Sequence, residues 1–181
     1  MREWIGMVTH RTVVVLAALS VLSACGGEEP VAPGAWAKSV CKAVKPWSAE
    51  IQKLQTQTRD KLANRSDAGQ AKKELVTLFG GMEQATDSAL GEMKEAGVPD
   101  VSGGQRIADG FVSALTSARN SFGVGRKAVE ALPTADRKAF YDGVVAAGDV
   151  IRKENENASE PFRNIGSAEL DKAFGDAPEC R

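Results

Sequence analysis

Cysteine and histidine are the residues most often responsible for catalysis, metal binding and covalent modification, and this chain has few of either. It contains three cysteines, Cys25, Cys41 and Cys180, and one histidine, His10, in 181 residues. A cysteine thiolate is a strong nucleophile and forms thioethers or disulfides. A histidine is needed for a Ser-His-Asp triad, for a Cys-His pair and for many zinc sites. The chemistry open to the chain therefore depends on where these four residues lie.

Cys25 follows a segment that has the three parts of a secretory signal peptide. Arg2 and Arg11 give positive charge, residues 12–21 form an apolar run too short for a permanent membrane span, and small residues precede the cysteine. The tetrapeptide Leu22-Ser23-Ala24-Cys25 resembles the lipobox of bacterial lipoproteins. The resemblance implies that residues 1–24 are a lipoprotein signal peptide and that the Cys25 thiol carries a diacylglycerol. The alternatives are an ordinary secretory signal cut elsewhere, or a disulfide at Cys25.

The segment after the cysteine predicts a flexible tether. Residues 26–34, GGEEPVAPG, are rich in glycine, proline and acid and show no apolar periodicity. Two acyl chains suffice for stable anchoring, and no later run approaches membrane-spanning length. We therefore expect a lipidated tether at 25–34 and a domain at 35–181. The lipid on Cys25 would hold this domain on the extracytoplasmic face of the cell membrane.

The charge balance gives no reason to expect a nucleic-acid partner. The sequence has 23 Lys and Arg and 24 Asp and Glu, and removal of Arg2, Arg11 and Glu3 leaves 21 and 23, a net charge of −2. Nucleic-acid-binding domains instead carry basic patches, and export makes such a partner less accessible. The sequence predicts no nucleic acid, no metal and no cofactor.

Loss of the signal would also decide the roles of the remaining cysteines and of histidine. With Cys25 acylated, Cys41 and Cys180 are two thiols in an oxidising compartment, where such a pair most often forms a disulfide. The bridge would close a loop of about 140 residues, for an upper stabilisation of roughly 5 kcal/mol. The alternative, a reactive or metal-binding pair, lacks another soft ligand or a nearby base. Because His10 leaves with the signal, the mechanisms that depend on histidine are excluded, and we predict no catalytic site and no enzyme. An enzyme built on carboxylates or on Tyr141 is the remaining alternative.

Apolar residues recur at helical spacing almost throughout the mature chain, and no stretch alternates like a strand. Four amphipathic segments with short connections predict an all-α fold. We expect an antiparallel up-and-down four-helix bundle with a short extra C-terminal segment. An even number of helices returns the chain to the start of the first one, which agrees with a bridge from Cys41 to Cys180.

Breakers and caps predict where the helices begin and end. Pro46 is expected to kink or restart the first helix. Gly80 and Gly81 predict either a local break or a close helix crossing in the second. Three polar residues are expected to cap the following helices: Asp67, Ser102 and Thr134.

Four short motifs occur at the ends and connections of the mature chain: WAKSVC from Trp36, the Pro46-Trp47 pair, AGVPDV at 96–101 and PEC at 178–180. As a set they resemble the small lipoproteins and secreted proteins of actinobacteria, over most of the mature chain. The resemblance implies an envelope location and the disulfide, but no activity, because that family has none assigned. The two tryptophans could contact lipid headgroups or lie in the core, and the core is favoured.

Three polar motifs could do chemistry, and each has a plainer explanation. Glu83 and Asp87 share a helix face and could serve acid–base or metal chemistry, but a solvated face is favoured. Residues 123–127, GVGRK, lack the full phosphate-loop pattern. Residues 154–160, ENENASE, offer oxygen ligands for calcium but do not match an EF-hand loop.

Two functions are expected from these observations. The first is a non-enzymatic binding or interaction module of the bacterial cell envelope, whose protein partner the sequence does not identify. The second is a carrier of a lipid or an apolar small molecule in a cavity between the helices. A cavity of several hundred Å³ would favour the carrier, and a dry core would favour the module. The aromatic residues expected beside such a cavity are Phe79, Phe111, Phe122 and Phe140.

Overall fold

The computed structural model describes residues 29–63, 67–158 and 166–181, which are mainly helical. The elements are α1 (Pro33–Ala63), α2 (Ala68–Glu95), α3 (Gly104–Ala131), α4 (Arg137–Ala158), α5 (Ala168–Asp176) and a 3-10 turn (Pro178–Cys180). Strands are absent from these residues, where the one extended pairing is an isolated bridge between Val31 and Pro99. The predicted all-α fold is confirmed for this part of the chain.

Two core clusters lie toward opposite ends of α2 and α3. The first surrounds Trp36 of α1 and joins the end of α2 at Met93, the start of α3 at Phe111, and α5 at Leu170. The second surrounds Phe140 of α4 and joins the start of α2 to the end of α3. Helix α5 therefore contributes buried residues to the first cluster, and helix α4 contributes buried residues to the second.

The packing order follows the order of the chain. Helix α2 packs against α1 and α3, α4 packs mainly on α3, and α5 and the 3-10 turn pack on α1. Among the described helices, α1 and α4 do not form a comparable contact. The contacts thus establish a helical assembly, whereas the described residues do not include a closing contact between the first and fourth helices of comparable extent.

Helix α1 runs without a break through Pro46, so the predicted restart at this proline does not occur. A proline inside a helix removes one backbone hydrogen bond. Tertiary contacts next to the proline compensate for this loss, since Trp47 Nε1 donates to Thr86 Oγ1 of α2 at 2.9 Å. Helix α2 is likewise unbroken at Gly81, where a Cβ would lie 3.1 Å from Leu54 Cδ1 of α1. The glycine therefore serves a close helix crossing.

The three expected caps have different outcomes. Asp67 caps α2 as predicted, with Oδ1 accepting from the Gln70 N–H at 2.7 Å. The prediction for Thr134 is wrong, because α4 begins at Arg137 and Asp136 Oδ1 accepts the Ala139 N–H at 3.1 Å.

The prediction that Ser102 caps α3 is also wrong. The residue before the helix is Gly103, in a left-handed conformation with φ of 73°, and it offers no side-chain cap. Gly104 opens the helix instead, and a Cβ on Gly104 would overlap the carbonyl oxygen of Pro99. Glycine is required here because the loop backbone approaches too closely for any side chain.

We expect Gly104→Ala to lower the free energy of unfolding by about 2 kcal/mol, because the loop before α3 must move to admit the methyl group. Gly148→Ala on α4 is the matched control, since nothing lies within 4 Å of its added Cβ. It should raise the free energy of unfolding by about 0.5–1 kcal/mol through helix propensity. Urea denaturation followed by circular dichroism measures both. An unchanged stability of Gly104→Ala would contradict the close approach.

Candidate functional site

Val31 marks the point where the chain joins the fold. Its N–H donates to the Val98 carbonyl at 2.7 Å, and its carbonyl accepts from the Asp100 N–H at 2.8 Å. We call these two hydrogen bonds the Val31 clasp. The clasp and the first turn of α1, which begins at Pro33, lie inside the segment expected to be flexible up to residue 34.

Trp36 lies at the centre of the first core cluster. It is fully buried, and its Nε1 donates to the Gly97 carbonyl at 3.0 Å. Its ring makes edge contacts with Phe111 and Phe174 at centroid distances of 5.4 and 5.9 Å. The hydrogen bond satisfies the one polar atom of a ring that is otherwise surrounded by apolar side chains. Trp36 is thus a core residue, as the sequence favoured.

A disulfide joins Cys41 of α1 to Cys180, with the Cα atoms 5.1 Å apart. The predicted pairing is therefore present. Lys45 Nζ also donates to the carbonyl oxygen of Arg181, one residue beyond the bridge. These contacts hold the 3-10 turn against α1, close to the cluster around Trp36.

Ion pairs reinforce this attachment. Lys38 Nζ lies 2.8 Å from Glu179 Oε1, and the hydrogen bond from Lys38 lowers the pKa of Glu179. Within α5, the hydrogen bond from Lys172 lowers the pKa of Asp176. A lowered carboxyl pKa stabilises the fold above the unfolded pKa, and this contribution is lost as pH falls through the folded pKa. Both pairs are exposed and contribute little individually, so the disulfide dominates.

Glu83 and Asp87 face two arginines across the contact between α2 and α3. Arg126 Nε lies 3.1 Å from Glu83 Oε2, and Arg119 Nε lies 3.0 Å from Asp87 Oδ1. Arg126 also pairs with Glu130, and its hydrogen bonds to Glu83 and then to Glu130 raise the pKa of the guanidinium. The two carboxylates thus bind guanidinium groups on the surface, an arrangement that connects α2 to α3.

The other two sequence motifs fall in helical backbone. Residues 123–127 belong to the interior of α3, where a Cβ on Gly123 would lie 3.0 Å from Glu83 Oε1. This glycine serves helix packing rather than a phosphate loop. Residues 154–158 continue α4, whereas 159 and 160 lie outside the described residues.

The lipidation prediction falls outside the part of the chain that the structure describes. Residues 1–24, Cys25 and the first residues of the tether all precede residue 29. Within the described ranges, no group of three or more His, Cys, Asp or Glu side chains is placed to hold a metal ion. None of the described helices is both long and apolar enough to cross a membrane.

An open groove of about 480 Å³ lies between the end of α1 and the start of α2. Leu62, Leu75 and Leu78 make its walls mostly apolar, and Arg59 is the one charged residue among those that line it. We call it the α1–α2 groove. It lies about 30 Å from Cys41 along α1, at 1.5 Å per residue. Its full lining is Gln55, Thr58, Arg59, Leu62, Ala63, Leu75 and Leu78.

The four phenylalanines expected beside a ligand do not line this groove. Phe111 and Phe140 are buried in separate core clusters, and Phe79 packs against the second cluster.

A second open groove of about 460 Å³ lies beside α5. Its charged walls include the Lys38–Glu179 and Lys172–Asp176 pairs.

Comparison of the chain with protein-family models, with curated proteins and with solved structures found no match. The resemblance to small actinobacterial lipoproteins accordingly stays an interpretation of the motifs.

Replacing both bridged cysteines, as Cys41→Ser with Cys180→Ser, should lower the free energy of unfolding by about 2–5 kcal/mol, because a closed 139-residue separation is released. Guanidinium denaturation followed by tryptophan fluorescence measures the loss. Dithiothreitol should lower the parent to the level of the double variant and leave the variant unchanged. If dithiothreitol does not change the free energy of unfolding of the parent protein, even when the reductant is added to the unfolded chain, the bridge is contradicted.

Proposed function

We propose that the protein is a non-enzymatic binding module, anchored by the lipid on Cys25 to the extracytoplasmic face of a bacterial cell membrane. The observation that carries this proposal is the position of the lipobox-like tetrapeptide relative to the fold. Cys25 lies six residues before Val31, where the clasp begins. A domain that starts directly behind an acylated residue is what a tethered envelope protein requires.

The polar residues of the domain support binding rather than catalysis. Glu83 and Asp87 are occupied by Arg126 and Arg119. The mature sequence carries no histidine, and its net charge of −2 offers no basic surface for nucleic acid. We infer an envelope protein as the partner. The same motifs that resemble the small actinobacterial lipoproteins support this location.

We also infer that the helices form an antiparallel up-and-down bundle in which α4 and α5 share the fourth position. The start of α1 shares a cluster with the end of α2 and the start of α3, which supports alternating helix directions. Helix α4 completes the cluster at one end and α5 completes the cluster at the other. The disulfide then closes the end that lies nearest the anchor.

The α1–α2 groove favours a second candidate function, the carrier of an apolar small molecule. Its volume of about 480 Å³ lies within the usual range of ligand sites, and three of its seven lining residues are leucine. An acyl chain or a small hydrocarbon-rich molecule fits that chemistry. The groove is open, so a ligand would lie partly exposed between α1 and α2.

The anchor is tested with Cys25→Ala in a bacterial host that acylates lipoproteins. The parent should fractionate with membranes and carry the added mass of a diacylglycerol, and the variant should show neither, because the acylated thiol is gone. Cys180→Ser is the matched control, since it removes a cysteine outside the lipobox and should keep the lipid. A Cys25→Ala protein that stays with membranes and carries no lipid mass would refute the lipid anchor.

The carrier is tested by native and denaturing mass spectrometry of the exported protein. A bound apolar ligand should appear as extra mass in the native spectrum and disappear on denaturation. Leu78→Asp should abolish the extra mass by placing a charge in the groove. Val145→Asp on α4, where the valine is 65% exposed, should retain it. No extra mass on the parent would exclude a resident ligand and leave the module.

A further inference from the structure

We propose that the protein stands end-on on the lipid surface, with the loop of residues 97–103 facing the headgroups. This inference rests on the proposed lipidation of Cys25 and adds which surface of the domain meets the membrane.

The reach of the tether sets the distance between the domain and the bilayer. Six Cα–Cα steps separate Cys25 from Val31, so even a fully extended chain spans at most about 22 Å. Helix α3 has 28 residues, which at 1.5 Å per residue is about 42 Å. The free tether is thus shorter than the domain is long. Without the clasp, the tether expected from the sequence would extend to residue 34 and reach further.

The clasp lies at an end of the domain rather than on a side. Val31 pairs with the backbone on both sides of Pro99, in the loop between α2 and α3. The loop begins at Gly97 and ends at Gly103, which both have left-handed backbone conformations, and the side chain of Pro99 within it is fully buried. The tether therefore leaves the domain where the start of α1, the end of α2 and the start of α3 meet.

The link from the clasp into the first helix is short and well packed. Ala32 is the one residue between Val31 and the start of α1 at Pro33. The Ala32 carbonyl accepts the Trp36 N–H at 3.0 Å, and Trp36 is fully buried. The position of Val31 relative to the bilayer therefore also fixes the position of the start of α1.

The charge of the domain does not oppose this orientation. Glu28 and Glu29 of the tether carry the net charge of −2 of the mature chain, because residues 31–181 have 21 basic and 21 acidic residues. The loop of residues 97–103 has one charged side chain, Asp100, which is exposed, and Arg106 follows it in the first turn of α3. A domain without net charge is neither attracted to nor repelled by an anionic leaflet as a whole. The orientation therefore rests on the reach of the tether and on the position of the clasp.

The test uses the full chain, acylated in its host and reconstituted in phosphatidylglycerol–phosphatidylcholine vesicles that contain an acceptor dye on the headgroup. A donor dye is placed on Ser102→Cys in one protein and on Ala135→Cys, in the turn between α3 and α4, in another. The native cysteines do not react, because Cys25 is acylated and the other two are bridged. Energy transfer should be strong from position 102 and several-fold weaker from position 135.

The possible outcomes separate the two proposals. Equal transfer from both positions in a vesicle-bound, lipid-carrying protein means that the domain lies on its flank, and this overturns the end-on orientation alone. A protein without lipid mass that does not bind vesicles overturns the anchor, and with it this inference. Stronger transfer from position 135 than from position 102 would mean that the opposite end faces the bilayer, which also overturns the proposal.

A variant of the clasp tests the role of Val31 directly. Val31→Pro removes the N–H that donates to Val98 and lengthens the free tether, so transfer from position 102 should fall. Pro30→Gly, one residue earlier and outside the clasp, should leave transfer unchanged. Circular dichroism and reductant sensitivity establish that both variants keep the fold. A Val31→Pro protein with the transfer of the parent would show that the clasp does not set the spacing.

Discussion

The disulfide between Cys41 and Cys180 is the constraint on which the end of the domain that holds the Val31 clasp depends. Helix α5 has nine residues, and Leu170 is its one fully buried side chain. A helix of this length is marginal in water without tertiary support. The bridge keeps the segment against α1, so that Leu170 and Phe174 cover Trp36 and Phe111. Trp36 in turn binds the Gly97 carbonyl, which lies next to the clasp.

The two ends of the domain are consequently stabilised in different ways. At the bridged end, covalent closure and an aromatic cluster compensate for a short helix. At the other end, α4 contributes Phe140 to the second core cluster. It also packs closely against the residues that follow α3, because Gly143 has no side chain and so leaves room for Leu132. In the part of the chain that the structure describes, α4 does not pack against α1 as α3 does against α2. The α1–α2 groove is the surface that this arrangement leaves open.

Periodicity predicted the helical class because it is a property local to each segment. The cysteine count predicted the bridge because only Cys41 and Cys180 remain once Cys25 is assigned to the lipobox. The starts of α3 and α4 could not be predicted in the same way, since Ser102, Thr134 and Asp136 are all good caps and backbone geometry chooses among them. The Val31 clasp lacks a sequence signature, because both of its hydrogen bonds join backbone atoms. Leu62, Leu75 and Leu78 carry the same pattern as core residues, and only packing shows that they border a groove. The partners of Glu83 and Asp87 lie on another helix, beyond what spacing along α2 reveals.

The position of the α1–α2 groove bears on the choice between the two candidate functions. Leu62 lies 31 residues after Val31, almost all of them in α1, which is about 45 Å at 1.5 Å per residue. In the end-on orientation the groove is therefore held well away from the bilayer, at the outer end of the domain. A carrier that exchanged a membrane lipid would need its opening near the headgroups. An exposed apolar surface at the outer end lies where an envelope partner can reach it, so the proposed orientation and the groove together favour the module.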